Sequence, residues 1–211
     1  GVSLGAKIQT VFTVAKVGAL AALVLLGLFV FRRPEAVAEN RGAFWGTAAW
    51  GLAMLPVIGA AMVGSLFSSD AWNNVTFAAA EVRNPRKNLP LALAFGTALV
   101  SALYILANFA YLNVLPFSGS PEGATVLARG IQHATQDRVA TAALEVMFGP
   151  VGATMMAVAI LVSTFGCNNG LILSGPRVYY AMARDRLFFQ RAGVLHPTWR
   201  TPTFGLAAQA I

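Results

Sequence analysis

The sequence predicts an all-α protein embedded in a lipid bilayer, and three observations carry that prediction. The chain is 57% hydrophobic and only 11% charged, with a mean hydropathy of +0.65. Its apolar residues fall in runs long enough to cross a membrane, and its basic residues sit in short clusters between those runs. A water-soluble domain carries about 25% charged residues, so this chain lacks the polar cover a solvated surface needs. The net charge of +7 is scattered rather than gathered into the single basic face that nucleic acid requires. No nucleic-acid partner is expected.

Crossing about 30 Å of hydrocarbon takes roughly 20 mostly apolar residues in a helix. Residues 8–31 contain one charge, Lys16, and residues 44–80 contain one, Asp70; residues 89–120 and 146–176 contain none. A fresh apolar run starts at Phe204. The expected spans are about 5–31, 48–81, 89–115 and 148–180, with a further span starting near 203, all in one transmembrane domain over 1–211. The chain begins Gly-Val-Ser and stops inside an apolar run, which reads as a piece of a longer protein. Lys7 and Lys16 interrupt the first run and no small-residue cleavage site comes after it, which argues against a signal peptide.

Cytoplasmic loops are enriched in Lys and Arg. One set of connections holds Lys7, Arg83, Arg86, Lys87, Arg177, Arg184, Arg186, Arg191 and Arg200; the other holds Arg32, Arg33, Arg41, Arg129 and Arg138. The larger set places both ends of the chain and the 83–87 turn in the cytoplasm. Trp45, Trp50, Phe109 and Phe117 near span ends read as interface anchors.

The second run is the informative one. As one straight helix residues 44–80 would be about 55 Å long, which overshoots the bilayer core, so the run starts late or is broken. Gly64, Ser65, Ser68, Ser69 and Asp70 lie close together, and such residues are poor in helix interiors and good at caps. A half-helix restarting at Ala71, capped by Ser69 or Asp70, is expected. Non-helical backbone at membrane depth is tolerated only inside protein or along a cavity, and broken helices there build substrate sites in secondary transporters. Freed carbonyls attract an ammonium and freed N–H groups a carboxylate, so the break points to transport of a zwitterion.

Polar residues inside the spans add detail. Lys16 lies mid-run with Gln9 and Thr13 at helical spacing on its face. A charge there costs several kcal/mol unless paired or hydrated. It either snorkels to the interface or stands inside the bundle as a proton carrier or as a fixed cation replacing a coupling metal ion. Asp70 is either a helix cap favoured by the dipole or a contact to a substrate ammonium. Thr97, Ser101, Tyr104, Asn108 and Tyr111 recur at helical spacing, a stripe that faces protein or water. Ser163, Cys167, Gly170 and Ser174 form a small-residue stripe, with Gly166 and Gly170 in Gly-x-x-x-Gly spacing, which reads first as close helix packing. Residues 123–147 have apolar helical spacing interrupted by Gln132, Gln136, Asp137 and Arg138, and are expected to form an external amphipathic lid or surface helix.

A single cysteine, Cys167, permits no intrachain disulfide, and no Cys/His metal spacing exists. His133 and His196 lie far apart in connections and read as ordinary loop residues. No Walker motif, glycine-rich dinucleotide loop, catalytic-triad spacing or paired carboxylates appear, so neither an enzyme nor a cofactor is expected.

The stretch Leu66-Phe-Ser-Ser-Asp-Ala-Trp-Asn-Asn-Val-Thr-Phe77, followed by Glu81-Val-Arg-Asn-Pro-Arg-Lys-Asn-Leu-Pro90, resembles the sixth span and following turn of the amino acid-polyamine-organocation permeases, in particular their L-type amino acid transporter branch. Phe12-Thr-Val-Ala-Lys16 is similar to that branch's fifth span, and Ser163-Thr-Phe-Gly-Cys-Asn-Asn-Gly170 with Arg177 to its eighth. The resemblance implies an inverted-repeat bundle of roughly a dozen helices with a broken helix near Ser68 to Asp70, of which this chain holds the fifth to eighth spans. It implies secondary transport of an amino acid, as exchanger or proton-coupled permease, in the plasma (inner) membrane. A polyamine or cationic amino acid antiporter is the alternative, and a non-transporting amino acid receptor or scaffold is a further rival.

The same resemblance implies the site residues. Phe67 matches an aromatic gate over the substrate, and the backbone of Phe67, Ser68, Ser69 and Asp70 matches the segment that receives the substrate amine. Trp72 and Asn73 match the start of the second half-helix beside the side-chain pocket. Lys16 matches a lysine standing in for a sodium ion, with Ser163 and Cys167 as its neighbours. The family often has glycine where this chain has Asp70, which opens the way to a cationic substrate or altered proton coupling.

Overall fold

The computed structural model describes residues 2–42, 51–68 and 72–210, and every regular element among them is helical. The α-helices are α1 (Val2–Leu25), α2 (Pro34–Gly42), α3 (Met54–Ser68), α4 (Pro85–Val114), α5 (Val126–Arg129), α6 (Val139–Phe148), α7 (Val151–Arg184) and α8 (Thr203–Gln209). They fall into two compact units. The first comprises Gly1–Val14, Gly59–Ala98 and Ser163–Ile211; the second comprises Ala15–Ile58 and Leu99–Val162.

Three helices are long and apolar enough to cross a membrane: Leu4–Val30, Pro85–Val114 and Val151–Arg184. Many of their apolar side chains are exposed: Phe95 is 72% exposed, Ile105 58% and Leu161 61%. Helix length and apolar surface together make this an integral membrane protein.

α4 starts at a turn built for it. Asn84 adopts a left-handed conformation at φ 50°, its carbonyl accepts from the N–H groups of Lys87 and Asn88, and Pro85 fills the first helical position, where a missing N–H costs nothing. The helix therefore begins four residues before the apolar run does. α7 runs 34 residues, about 51 Å at 1.5 Å per residue, with Pro176 in its interior. A proline there removes one ladder bond, and Pro176 is fully buried, with Gly205 of α8 packed on it.

Among the described residues the second apolar run holds two helical elements of different type. α3 is 15 residues, about 22 Å, and a 3-10 helix covers Trp72–Glu81, 10 residues, about 20 Å at 2 Å per residue. Neither alone spans about 30 Å of hydrocarbon. The expected restart at Ala71 lies outside the described residues, as do Trp45 and Trp50. The segment beginning at Trp72 is not the α-type half-helix expected. Asn74 and Thr76 carry short polar side chains, a type that competes for backbone groups, and the tighter 3-10 form results.

The second unit holds the main core, with Leu23, Ala110, Val114, Leu115, Ala143 and Met147 among its buried members. α1 gives way there to a π-helical turn over Leu26–Val30, closed by the Phe31 N–H donating to the Leu26 carbonyl at 2.8 Å. Gly27 lies in that turn, and a Cβ placed on it would sit 2.8 Å from the Ala110 Cβ. Small residues on both helices permit this approach.

The 123–147 segment differs most from the expectation of one surface helix. Gly130 (φ 63°), Gln136 (φ 55°) and Asp137 (φ 58°) all have positive φ, which no continuous α-helix accommodates. The segment breaks into α5, a 3-10 turn at Thr135–Asp137 and α6. The apolar face of α6 is also not a surface: Ala142, Ala143, Leu144 and Met147 are buried against the end of α4.

Candidate functional site

In the first unit α3 and the 3-10 helix carry the residues that sequence reasoning singled out. Phe67 occupies the last turn of α3 with 82% of its surface exposed, and Trp72 opens the 3-10 helix 62% exposed. Ser68 closes α3 and Asn73 is the second residue of the 3-10 helix. Ser69 and Asp70 lie outside the described residues. Two large aromatic side chains thus stand at the end of α3 and the start of the 3-10 helix, each with most of its surface exposed.

α1 and α7 meet in the same unit through contacts that sequence reasoning missed. The Asn169 amide donates to the Gln9 side-chain oxygen at 2.8 Å and to the Gly5 carbonyl at 3.3 Å. One turn away Phe12 stacks on Phe165, with ring centroids 6.2 Å apart and planes 13° from parallel. Gly5 lies against Leu173, and Gly170 faces Gln9. Interhelical amide bonds of this kind act as polar glue in membranes. The signal in the sequence was the pair Asn168-Asn169 within an otherwise apolar run.

The small-residue stripe on α7 is in part a packing surface. Gly170 accommodates Gln9, and the buried Ser174 returns its hydroxyl to the Gly170 carbonyl at 3.0 Å. Ser163 is half-buried and Cys167 exposed. Lys16, half-buried in α1, belongs to the second unit, whereas Ser163 and Cys167 belong to the first. The two histidines are loop residues. The His196 ring stacks on Trp199 with centroids 4.3 Å apart, and its Nδ1 accepts from the Thr198 N–H at 3.2 Å.

In the second unit the polar stripe of α4 ends at a cavity of about 850 Å³ lined by Asn108, Tyr111, Asn113, Asn40, Arg41 and Phe117, with apolar residues between them. Asn108 also donates to the Tyr104 carbonyl one turn back. Phe109 and Phe117 are 55% and 50% exposed and line the same cavity. Among the described residues no group of three or more His, Cys, Asp or Glu side chains is placed to hold a metal ion.

An amino acid permease family model matches this sequence over residues 1–211. The chain belongs to the amino acid permease family. It is similar to the serine/threonine exchanger SteT of Bacillus subtilis (strain 168), with 33% identity over 211 residues covering 99% of this chain and 43% of that protein. It is also similar to the b(0,+)-type amino acid transporter 1 of Mus musculus, with 31% identity over 87% of this chain and 34% of that protein. Similarity extends to the large neutral amino acids transporter small subunit 2 of Mus musculus, at 27% identity over 93% of this chain and 34% of that protein. The permease chain thus spans less than half the length of the relatives it matches. These relatives are transporters and not enzymes, and the three long apolar helices place the permease in a membrane.

Proposed function

We propose that the full-length protein moves amino acids across a membrane by alternating access, as an exchanger or a proton-coupled permease. The observation that carries this reading is the family match over residues 1–211; relatives named as an exchanger and as amino acid transporters support it. Substrate binds at Phe67, Ser68, Ser69, Asp70, Trp72 and Asn73. Backbone groups released where an α-helix ends receive the amine, and the exposed rings of Phe67 and Trp72 bracket the side chain. Lys16 supplies a fixed cation that stabilises one conformational state over the other. The membrane is the plasma (inner) membrane, and the 83–87 turn lies on its cytoplasmic side because that set of connections carries more Lys and Arg.

A second reading, exchange of cationic amino acids or polyamines, is favoured by one observation: Asp70 places a carboxylate at the break where the resembling family often has glycine. Counterflow into proteoliposomes, with neutral, cationic and acidic amino acids and polyamines at two pH values on either side of neutrality, tests both. Exchange of neutral amino acids supports the first reading, and its pH dependence reports proton coupling. Exchange confined to cations supports the second. Binding without exchange of any of them would make the protein a receptor.

A further inference from the structure

The second unit contains a small cavity with charged residues in its lining that the transport reading does not use. It measures about 250 Å³ and is lined by Arg129 at the end of α5, by Thr135 and Gln136 of the 3-10 turn, and by Arg138, Thr141 and Glu145 of α6 and its start, with apolar residues at its back. These elements lie between the long helices α4 and α7 in the chain, outside the segments able to cross a membrane.

Arg138, Thr141 and Glu145 stand at positions i, i+3 and i+7, one face of a helix, so α6 presents a cation, a hydroxyl and a carboxylate in a row. Arg129, the last residue of α5, lines the same cavity. Its Nη1 donates to the Gly123 carbonyl at 3.1 Å, while its Nε is buried with no hydrogen-bond partner. The buried Nε is closed to any ligand, so only the rest of the Arg129 side chain, which lines the cavity, is available to an acceptor there. Glu145 is half-buried, and no ion pair joins it to either arginine among the described residues. Charges of both signs line one small cavity, and a ligand that carries both matches them.

We infer that this cavity binds a free α-amino acid as a second site, separate from the one proposed at Phe67 to Asn73, with the ligand carboxylate held by Arg129 and Arg138 and its ammonium by Glu145. Thr135, Gln136 and Thr141 supply neutral hydrogen-bond partners around the backbone atoms of the ligand. A cavity of about 250 Å³ has room for a small amino acid. The amino acid as ligand class rests on the transport reading above; the cavity and its charges do not.

The test is equilibrium binding of radiolabelled L-serine, L-leucine and L-arginine to the full-length protein in lipid nanodiscs, alongside counterflow by the same preparation in proteoliposomes. Two molecules bound per chain are expected for at least one of the three. Arg138→Gln and Glu145→Gln should each weaken one of the two by about ten- to a hundredfold, the effect of losing one charge-assisted hydrogen bond, while the maximal counterflow rate stays unchanged. These two variants are chosen because Arg129 also ties its own loop through Gly123. The amine made by decarboxylating the same amino acid should fail to occupy the second site. One molecule per chain in the unaltered protein, or two that both variants leave unchanged, would overturn the inference and leave transport standing. Two molecules without counterflow would support the second site and overturn transport, and binding of none would overturn both.

Discussion

Asn40 ties the end of α4 to a helix more than seventy residues away in sequence, and its removal gives the sharpest stability prediction. The last carbonyls of any α-helix have no partner within it. Here the Asn40 amide donates to the Leu112 carbonyl at 2.7 Å and to the Leu115 carbonyl at 2.9 Å, while its oxygen accepts from the Phe117 N–H at 2.6 Å. Leu115 is fully buried, so water does not readily replace that bond. At about 1 kcal/mol net per hydrogen bond, three bonds give about 3 kcal/mol. Asn40 itself is only half-buried, and water regains part of this, leaving about 2 kcal/mol for Asn40→Ala. The related proteins are more than twice this chain's length, so the shallow end of the usual relation, about 2 °C per kcal/mol, applies. The melting temperature of the full-length protein in detergent, read by intrinsic fluorescence at one fixed scan rate, should fall by about 4 °C. Glu39→Ala, an exposed neighbour without such bonds, should leave it within about 1 °C. A shift below about 1 °C for Asn40→Ala would refute the capping argument.

Gly27→Val should destabilise the same core by about 1–3 kcal/mol, the range for overpacking, because even a Cβ there meets Ala110 at 2.8 Å; unchanged thermal stability would show that α1 and α4 part at no cost. Gly130→Ala should lower stability by at least about 1–3 kcal/mol, since φ 63° with ψ −168° suits only glycine and its Cβ would press on the Ser118 carbonyl; expression and elution at wild-type levels with no loss of melting temperature would contradict this. Asp70→Asn should shift counterflow preference from lysine-like toward alanine-like substrates, and identical competition profiles would remove Asp70 from the site. Lys16→Ala should slow exchange severalfold without reducing the amount of protein in the membrane; exchange at the normal rate would return Lys16 to a snorkelling residue.

Much of this protein is legible before its tertiary structure. The charge-free runs around 89–120 and 146–176 form long helices because backbone groups in lipid must be satisfied within the segment; α4 begins four residues before its run and ends six short of the run's end, and α7 begins five residues into its run and continues eight beyond it. The cluster from Gly64 to Asp70 is read less securely: α3 continues through Gly64 and Ser65 to Ser68, and Ser69 and Asp70 lie outside the described residues. The Asn-Pro pair at 84–85 announces its turn. Family membership is carried by the same local stretches, Leu66 to Phe77 and Glu81 to Pro90.

The tertiary structure decided what depends on partners distant in the chain. Periodicity in 123–147 predicts an amphipathic lid or surface helix, and of these a single continuous helix is what the structure contradicts. A hydrophobic face records only that something covers it, and the positive φ values at Gly130, Gln136 and Asp137 and the buried face on α4 emerge only on packing. The same holds for Asn40, an unremarkable polar residue whose three bonds exist because α2 folds back on the end of α4. It holds also for Gln9 and Asn169, which become one hydrogen bond only when α1 and α7 meet. Helix identity is written in local backbone and solvation energetics, whereas the pairing of polar groups across helices depends on geometry that residues far apart in sequence create together.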